Sequence, residues 1–437
     1  MQWAVIVLLI YIFQMATILI AEYRRPTKAV AWLCILLVLP IVGFILYYFM
    51  AQEYRHRSRL KGRRTPKHNL TTHNEVKVFN SAKDLYNWML KDIAQARSHV
   101  HMLYYIWNDD ESGRTFQDAL IRKALEGVSV RVLVDGVGAR GTGEAFWNRM
   151  REAGVQVHHF LPPVIAFFAK RLNYRNHRKI TVIDGQSGYI GGINIGDEYV
   201  GKSPKYGEWR DTAIRFAGEA VHDLQRTFAM DWCMVSGEAL ELEKELFPPH
   251  HIRSMNPVRI VEGGPDTEHS AIREMFFQAV VAAKRRIYIT TPYFVPDDSL
   301  RMALITAAHT GVDVRLVIPG SIIDSKLTHW ATLSYIGEML RAGVRVYCYS
   351  KGFLHAKTVV VDDGLAIAGS ANLDLRSFFS NFEINAVCYD EAVVRQFAKD
   401  VAKDMTDSDE LTLSAYESRS RLEKCKLAVG HILSPLL

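Results

Sequence analysis

The chain of 437 residues carries one alternation of strand and helix patterns twice. In each half a strand pattern, at 99–107 and at 286–294, precedes an amphipathic helix pattern that ends at a glycine. Those glycines open matching phrases, Gly-Val-Ser-Val-Arg at 127–131 and Gly-Val-Asp-Val-Arg at 311–315. Because strands that alternate with helices are typical of α/β units, the repeat predicts two such units in one chain.

We expect tandem α/β domains at 75–245 and 246–437, each with a sheet flanked by helices. Two similar units favour pseudo-twofold packing, which brings equivalent segments together at one interface. A duplication of this size differs from a solenoid, in which short repeats stack in a row. Any site that needs two copies of a motif would therefore lie between the halves.

The N-terminal region is far more apolar than the rest of the chain. Residues 1–21 and 29–52 carry no charged side chain, and as a helix either run is long enough to cross a hydrocarbon core of about 30 Å. No basic residue precedes the first run and a second apolar run follows at once, which argues against a cleaved signal peptide. We expect residues 1–52 to form a hairpin of two transmembrane or membrane-embedded helices, the second kinked near Pro40 and Gly43.

Residues 53–74 form a strongly basic juxtamembrane linker. Beside a membrane segment such a linker indicates that the large domains face the cytoplasm and lie on anionic lipid. The loop between the two apolar runs is also basic, with Arg24, Arg25 and Lys28. A shallow hairpin that does not cross the membrane therefore remains an alternative. The basic residues of the linker are Arg55, Arg57, Arg59, Lys61, Arg63, Arg64 and Lys67.

The overall composition excludes few classes of protein. The formal net charge of +6 suits an anionic partner such as phospholipid or nucleic acid without choosing between them. The five cysteines are odd in number, widely spaced and form no CxxC pair. This pattern argues against a disulfide framework or a zinc site and favours a reducing compartment.

The motif that carries chemistry also occurs twice, as "RNHRKITVIDG" at 175–185 and "GFLHAKTVVVDDG" at 352–364. Read as strands, these phrases would project His177 with Lys179, and His355 with Lys357, from one face. Two such pairs make a cationic pocket for phosphate. One histidine can attack phosphorus while the other moves the proton, and the lysines neutralise the phosphoryl oxygens.

Further polar residues recur after each histidine. We expect Asp184 and Asp362 to anchor the turn that ends each strand rather than to act on substrate. Asn194 and Asn372 stand seventeen residues after their histidines, where their amides are candidates to bind phosphate oxygens. Two acids further along are candidates to accept a hydrogen bond from a histidine and so to fix its tautomer; they are Asp211 and Glu383.

The two motifs resemble the phospholipase D superfamily pattern HxKx4Dx6G(G/S)xN without departure. "RRPTKAVAWL", "NYRNHRKI", "TPYFVPD" and "GSANLDLRSFFSNFE" are similar to bacterial cardiolipin synthases, and the resemblance runs from the first apolar segment to the last residue. It implies two phospholipase D-like domains. The catalytic set that it implies is the six motif residues His177, Lys179, Asp184, His355, Lys357 and Asp362.

The resemblance also implies a reaction. One phosphatidylglycerol gives its phosphatidyl group to an enzyme histidine, glycerol leaves, and a second phosphatidylglycerol takes the group to yield cardiolipin. The sequence alone leaves phosphatidylethanolamine open as the second lipid. It implies His177 as the nucleophile and His355 as the acid and base, a role division that the near-symmetric sequence alone does not fix. It implies no metal and no cofactor, and a bacterial inner membrane as the location.

The first half carries an insertion before its motif that the second half lacks. The insertion is apolar and then basic, so we hypothesise that it dips into the membrane interface and helps to deliver lipid, although a buried connection is the alternative. The candidate lipid-contacting residues are Val164, Ile165, Phe167, Phe168, Lys170 and Arg171.

Other functions use the same site chemistry. With water as acceptor the chain would be a lipid hydrolase, and with another alcohol it would exchange headgroups, as in phosphatidylserine synthesis. A nuclease is disfavoured by the N-terminal apolar runs and by the lack of evident stacking aromatics, so we expect no nucleic-acid partner. A non-catalytic scaffold would have lost a motif residue, and none is lost.

Overall fold

The computed structural model describes residues 2–23, 26–50, 69–162, 173–240, 244–267 and 269–436. Up to residue 240 the helices are α1 (Gln2–Ala21), α2 (Pro26–Val38), α3 (Pro40–Met50), α4 (Ala82–Gln95), α5 (Glu111–Leu125), α6 (Glu144–Glu152) and α7 (Ala220–Ser236). The strands of this part are β1 (Leu70–Phe79), β2 (His99–Tyr104), β3 (Ser129–Asp135), β4 (Gln156–Phe160), β5 (Arg175–Asn176), β6 (Ile180–Ile183), β7 (Ser187–Gly191), β8 (Glu208–Arg210) and β9 (Ala213–Gly218).

The rest of the chain repeats this order and then adds a C-terminal extension. Its helices are α8 (Ala271–Ala282), α9 (Asp298–His309), α10 (Lys326–Arg341), α11 (Leu375–Phe379), α12 (Glu391–Thr406), α13 (Leu413–Glu417) and α14 (Arg421–Leu433), with short 3-10 turns at Lys244–Leu246 and Ser434–Leu436. Its strands are β10 (Met255–Gly263), β11 (Arg286–Thr290), β12 (Phe294–Val295), β13 (Asp313–Pro319), β14 (Arg345–Tyr349), β15 (Gly352–Leu354), β16 (Thr358–Val361), β17 (Leu365–Gly369), β18 (Leu373–Asp374), β19 (Asn381–Cys388) and β20 (Ser408–Leu411).

One mixed sheet runs through both halves. Its order is β20-β14-β13-β11-β16-β17-β19-β10-β1-β9-β7-β6-β2-β3-β4. The central pair, β1 and β10, is antiparallel, and the order outward from it is equivalent on both sides, as the internal repeat predicts. Strand β1 begins at Leu70, within the segment that the sequence assigns to the basic linker.

The core is continuous across the two halves. One cluster of buried residues joins Phe216 and Trp232 of the first half to Val258, Phe382 and Phe397 of the second. Burying a large apolar side chain contributes about 1.5–3 kcal/mol relative to leaving it exposed. The halves are therefore held as one body, which fixes the interface between them.

The N-terminal region forms three helices where the sequence predicts two. The second apolar run breaks at Leu39 because Pro40 has no N–H to donate and its ring cannot continue a straight helix. Trp32 of α2 packs edge-on against Tyr47 of α3, with ring centroids 5.4 Å apart, and Leu436 near the C-terminus packs on the same cluster. None of the helices in the described part of the chain combines the length and the apolar character needed to cross a membrane, so the predicted transmembrane hairpin is not confirmed.

Candidate active site

Each His-x-Lys segment lies between two short strands rather than within one. The sequence predicts continuous strands here, and that prediction is wrong because the chain leaves its own half to pair with the other. Strand β5 runs parallel to the start of β19, and the His177 N–H then donates to Phe382 O at 3.0 Å. Strand β15 likewise runs parallel to β8, and the His355 N–H donates to Arg210 O at 2.7 Å.

Through this pairing, each histidine contacts a carboxylate that belongs to the opposite half. His177 Nδ1 lies 3.0 Å from Glu383 Oε1 and 3.1 Å from Oε2. His355 Nδ1 lies 2.7 Å from Asp211 Oδ2. An Nδ1–H bonded to a carboxylate leaves the Nε2 lone pair free for chemistry. The site is therefore completed only when both halves come together.

His355 is buried and His177 is largely so, and both favour the neutral form. Burial lowers the pKa of His177 to about 4, against the opposing pull of Glu383. Burial and the neighbouring Lys357 lower the pKa of His355. The carboxylates stay ionised: burial disfavours their charge, but Lys357 and His355 bring the pKa of Asp211 below its usual value, and His177 does the same for Glu383. At neutral pH the free site thus presents unprotonated imidazoles.

The two lysines are buried beside the histidines. Lys179 Nζ donates to His177 O at 2.7 Å, and Lys357 Nζ donates to His355 O and lies 2.8 Å from His355 Nδ1. Burial, reinforced by Lys357, lowers the pKa of Lys179 to about 7, and burial lowers the pKa of Lys357 to about 8. Buried cations with depressed pKa values are stabilised by an incoming anion, so the pocket suits a phosphate.

Asp184 and Asp362 lie on the turns after β6 and β16, both with a positive φ, at 53° and 51°. Asp184 accepts hydrogen bonds from the backbone N–H groups of residues 97–99 at 2.8–2.9 Å. Asp362 accepts from those of residues 284–286 at 2.8–3.0 Å. Their carboxylates therefore tie the turns to the start of the neighbouring strands.

The motif asparagines are buried and bonded to protein groups. Asn194 accepts from the Ile106 N–H at 3.1 Å and donates to the Tyr199 hydroxyl at 3.3 Å. Asn372 Nδ2 donates to Asp374 at 3.0 Å, while its Oδ1 makes no hydrogen bond to any described residue. Each amide nitrogen thus already has a protein acceptor, and both side chains brace the loops that follow β7 and β17.

Sequence reasoning missed several residues that hold the two pairs. Glu383 also accepts from Ser370 Oγ at 2.5 Å, from Ser377 Oγ at 3.1 Å and from Asn381 Nδ2 at 3.2 Å. Ser370 is the serine of the G(G/S)xN motif and could have been found there. Ring contacts were not readable from sequence: Tyr105 lies edge-on to His177 with centroids 5.1 Å apart.

The six candidate lipid-contacting residues, Val164, Ile165, Phe167, Phe168, Lys170 and Arg171, lie outside the described residues, as does the basic run of the linker. Within the described ranges, no three His, Cys, Asp or Glu side chains are grouped so that they could hold a metal ion.

Two family models match the chain. The model described as "Cardiolipin synthase, PLD-like domain" matches residues 89–232 and 276–405. The model described as "Phospholipase D-nuclease N-terminal" matches residues 3–52. The first match covers both halves of the site, including every motif residue.

Curated relatives match almost end to end. The chain is 40% identical to the major cardiolipin synthase ClsA of Bacillus subtilis (strain 168), over 97% of this chain and 96% of that protein. It is 36% identical to a cardiolipin synthase of Listeria innocua serovar 6a, over 99% of this chain and 98% of that protein. A solved phosphatidylserine synthase from Haemophilus influenzae Rd KW20 has a TM-score of 0.66 at 16% identity, over 85% of this chain and 98% of that chain, a likeness of fold alone.

Proposed function

This chain belongs to the family of cardiolipin synthases with phospholipase D-like domains, and we propose that it transfers a phosphatidyl group from one phosphatidylglycerol to another through a phosphatidyl-histidine. The chain is an enzyme that makes cardiolipin. The observation that carries the proposed mechanism is the crossed pairing: each histidine bonds through Nδ1 to a carboxylate of the other half, beside two buried lysines.

In the first step His177 is the nucleophile. Its Nε2 lone pair attacks the phosphorus of the first phosphatidylglycerol while the bond from phosphorus to the glycerol oxygen breaks. His355 gives a proton to that oxygen, so glycerol leaves as a neutral alcohol. Lys179 and Lys357 stabilise the charge on the phosphoryl oxygens.

The charge balance of the pocket explains how His355 obtains this proton. With both histidines neutral, the cations of Lys179 and Lys357 are matched by the carboxylates of Glu383 and Asp211. A bound phosphodiester adds one negative charge in a buried site, which raises the pKa of a neighbouring imidazole. Substrate binding therefore draws a proton onto His355, where Asp211 stabilises the imidazolium at 2.7 Å.

In the second step the acceptor replaces glycerol. A hydroxyl of the second phosphatidylglycerol gives its proton to His355, and its oxygen attacks phosphorus as the bond to His177 Nε2 breaks. Cardiolipin leaves with both of its phosphates. His355 then releases to solvent the proton that it took from the acceptor, and the site returns to its starting protonation state. Asp184 and Asp362 hold the turns that position the lysines and take no part in either step.

The test is mass spectrometry of the lipids formed when the purified full chain meets phosphatidylglycerol vesicles. The wild-type chain should yield cardiolipin and free glycerol, and His177→Ala and His355→Ala should yield neither. Arg122→Gln, an exposed arginine on α5, is the matched control and should behave as wild type. Phosphatidic acid without cardiolipin would show that water is the acceptor and would overturn the proposal.

We also propose that residues 1–52 embed the enzyme in the bacterial inner membrane, with the halves at 75–245 and 246–437 facing the cytoplasm. Helices α1–α3 support this because large apolar side chains lie exposed all along them, including Trp3 at 78%, Ile20 at 74% and Val38 at 76%. Removing such surface from water is favourable. The chain should stay with membranes through alkaline carbonate extraction; its release would contradict embedding.

A further inference from the structure

Three segments meet on the wall of the pocket beside His177. Tyr105 follows β2 and lies edge-on to the His177 ring, with Lys179 Nζ 5.4 Å from the centre of the Tyr105 ring. The loop after β3 packs against it, since a Cβ on Gly138 would lie only 2.1 Å from Tyr105 O, and this loop carries Arg140. Helix α11 of the other half contributes Arg376, which reaches the segment just before His177.

Arg376 and Arg140 of this wall are not neutralised by a carboxylate of a described residue. Arg376 donates to Asn173 Oδ1 at 2.7 Å and to Asn173 O at 3.2 Å, both uncharged acceptors. Arg140 is exposed, and neither arginine forms an ion pair with a described residue. The Tyr105 hydroxyl likewise makes no hydrogen bond to the described part of the chain. Burial and the charge of Asp135, which is paired with Arg175, raise the pKa of Tyr105, whereas the charges of Arg376, Arg175 and Arg140 oppose that rise.

The wall on the side of His355 carries two carboxylates, Asp324 and Asp374. Tyr293 donates its hydroxyl to the Asp324 carboxylate. Burial lowers the pKa of Lys357, and the negative charges of Asp211, Glu383, Asp324 and Asp374 partly offset that fall. A second anion placed on this side would meet carboxylates, and like charges in a partly buried site repel.

We infer that Tyr105, Arg140 and Arg376 form a subsite for the phosphodiester of the acceptor lipid. The inference rests on the proposed function, in which the reacting phosphate occupies the histidine–lysine pocket. The acceptor's own phosphodiester lies only a three-carbon glycerol away from the attacking hydroxyl, and the product retains both phosphates. Guanidinium groups and a tyrosine hydroxyl are suited donors to such an anion, and charge-assisted bonds to it are the strong ones.

The subsite distinguishes an anionic lipid acceptor from a neutral one. Free glycerol and water carry no phosphate, so they attack the phosphatidyl-enzyme without using these arginines. The subsite therefore favours transfer to phosphatidylglycerol over exchange or hydrolysis.

The test measures two reactions of one enzyme in the same vesicles. Phosphatidylglycerol vesicles are incubated with deuterated free glycerol, and mass spectrometry follows both cardiolipin and deuterated phosphatidylglycerol. In Arg376→Gln and Arg140→Gln we expect cardiolipin formation to fall on the order of ten-fold more than glycerol exchange, the effect of losing one charge-assisted contact to the acceptor. Arg122→Gln should leave the ratio of the two products at the wild-type value.

Each outcome decides the inference. Equal falls in both reactions would overturn the inference, because the arginines would then act on the shared first step. Rates of both reactions that stay at the wild-type value would overturn it as well. Arg140→Gln guards against misfolding, since the Arg140 side chain forms no hydrogen bond or ion pair with a described residue. Failure of the wild-type chain to form any cardiolipin would instead refute the proposed function itself.

Discussion

The two histidine–carboxylate pairs occupy equivalent places in the two halves, yet they are built differently. In one, Glu383 reaches His177 and is held by the hydroxyl of Ser370. In the other, the shorter Asp211 reaches His355, and the position equivalent to Ser370 is Gly192. A duplicated fold has thus kept the contact while changing the side chains that make it.

The space around the shorter acid explains the glycine. A Cβ on Gly192 would lie 2.2 Å from Asp211 Oδ1, too close for any real contact. The longer Glu383 instead leaves room for a serine that donates to it. The difference teaches that each half has been refined around its own acid, which matches unequal roles for the two histidines.

The largest effect should come from neutralising either acid. Asp211→Asn or Glu383→Gln keeps the shape but presents an amide to Nδ1, which favours the wrong tautomer and removes the charge that stabilises an imidazolium. We expect kcat for cardiolipin formation to fall by on the order of 10³–10⁴-fold, the scale seen when a histidine loses its orienting carboxylate. If either variant stayed within ten-fold of wild type, that histidine would not depend on its partner across the interface.

An intermediate effect should separate the two pairs. Gly192→Ser forces Asp211 away from His355, so we expect kcat to fall by on the order of 100-fold. Ser370→Gly removes one hydrogen bond from Glu383, which keeps those from Ser377 and Asn381, so a loss of only a few-fold is expected. Steady-state assays of both variants, with thermal melts to exclude unfolding, make the comparison; equal losses would show that the two sides are not differently packed.

The smallest effect is a shift in pH dependence. Substrate binding adds a proton to His355, and in the free enzyme Lys179 has a pKa of about 7 and Lys357 of about 8, so kcat/KM should fall as pH rises and should fall most steeply above pH 7–8, where these cations are also lost. It should fall again only near pH 4, where His177 becomes protonated. Lys179→Gln removes a neighbouring cation, which raises the pKa of Lys357 and moves the alkaline limb upward. An alkaline limb that stays in place would assign it to another group.

Much of the fold could be predicted because periodicity and repetition are local signals. The alternation of strand and helix patterns gave the order of β2, α5, β3 and their equivalents, and the repeat predicted that both motifs meet at one interface. The turn role of Asp184 and Asp362 followed from their position after an apolar strand. These features depend on residues close together in the chain.

The crossed pairing could not be predicted because it depends on the packing of one half on the other. Sequence order gives no reason to join His177 to Glu383 rather than to Asp211, whereas the short parallel contact between β5 and β19 does. This contact and the equivalent one between β15 and β8 draw the two His-x-Lys segments out of the predicted strands. The three helices in place of two at the N-terminus reflect the strength of the break at Pro40, which the pattern indicated only as a kink.

The most direct test is to identify the histidine that carries the phosphatidyl group. Incubation of the wild-type chain with phosphatidylglycerol, followed by rapid quenching and peptide mass spectrometry, should detect a phosphatidyl adduct on the peptide that contains His177. The His177→Ala chain should show no adduct. An adduct on His355 in that chain, or none in either, would contradict the unequal roles of the two halves.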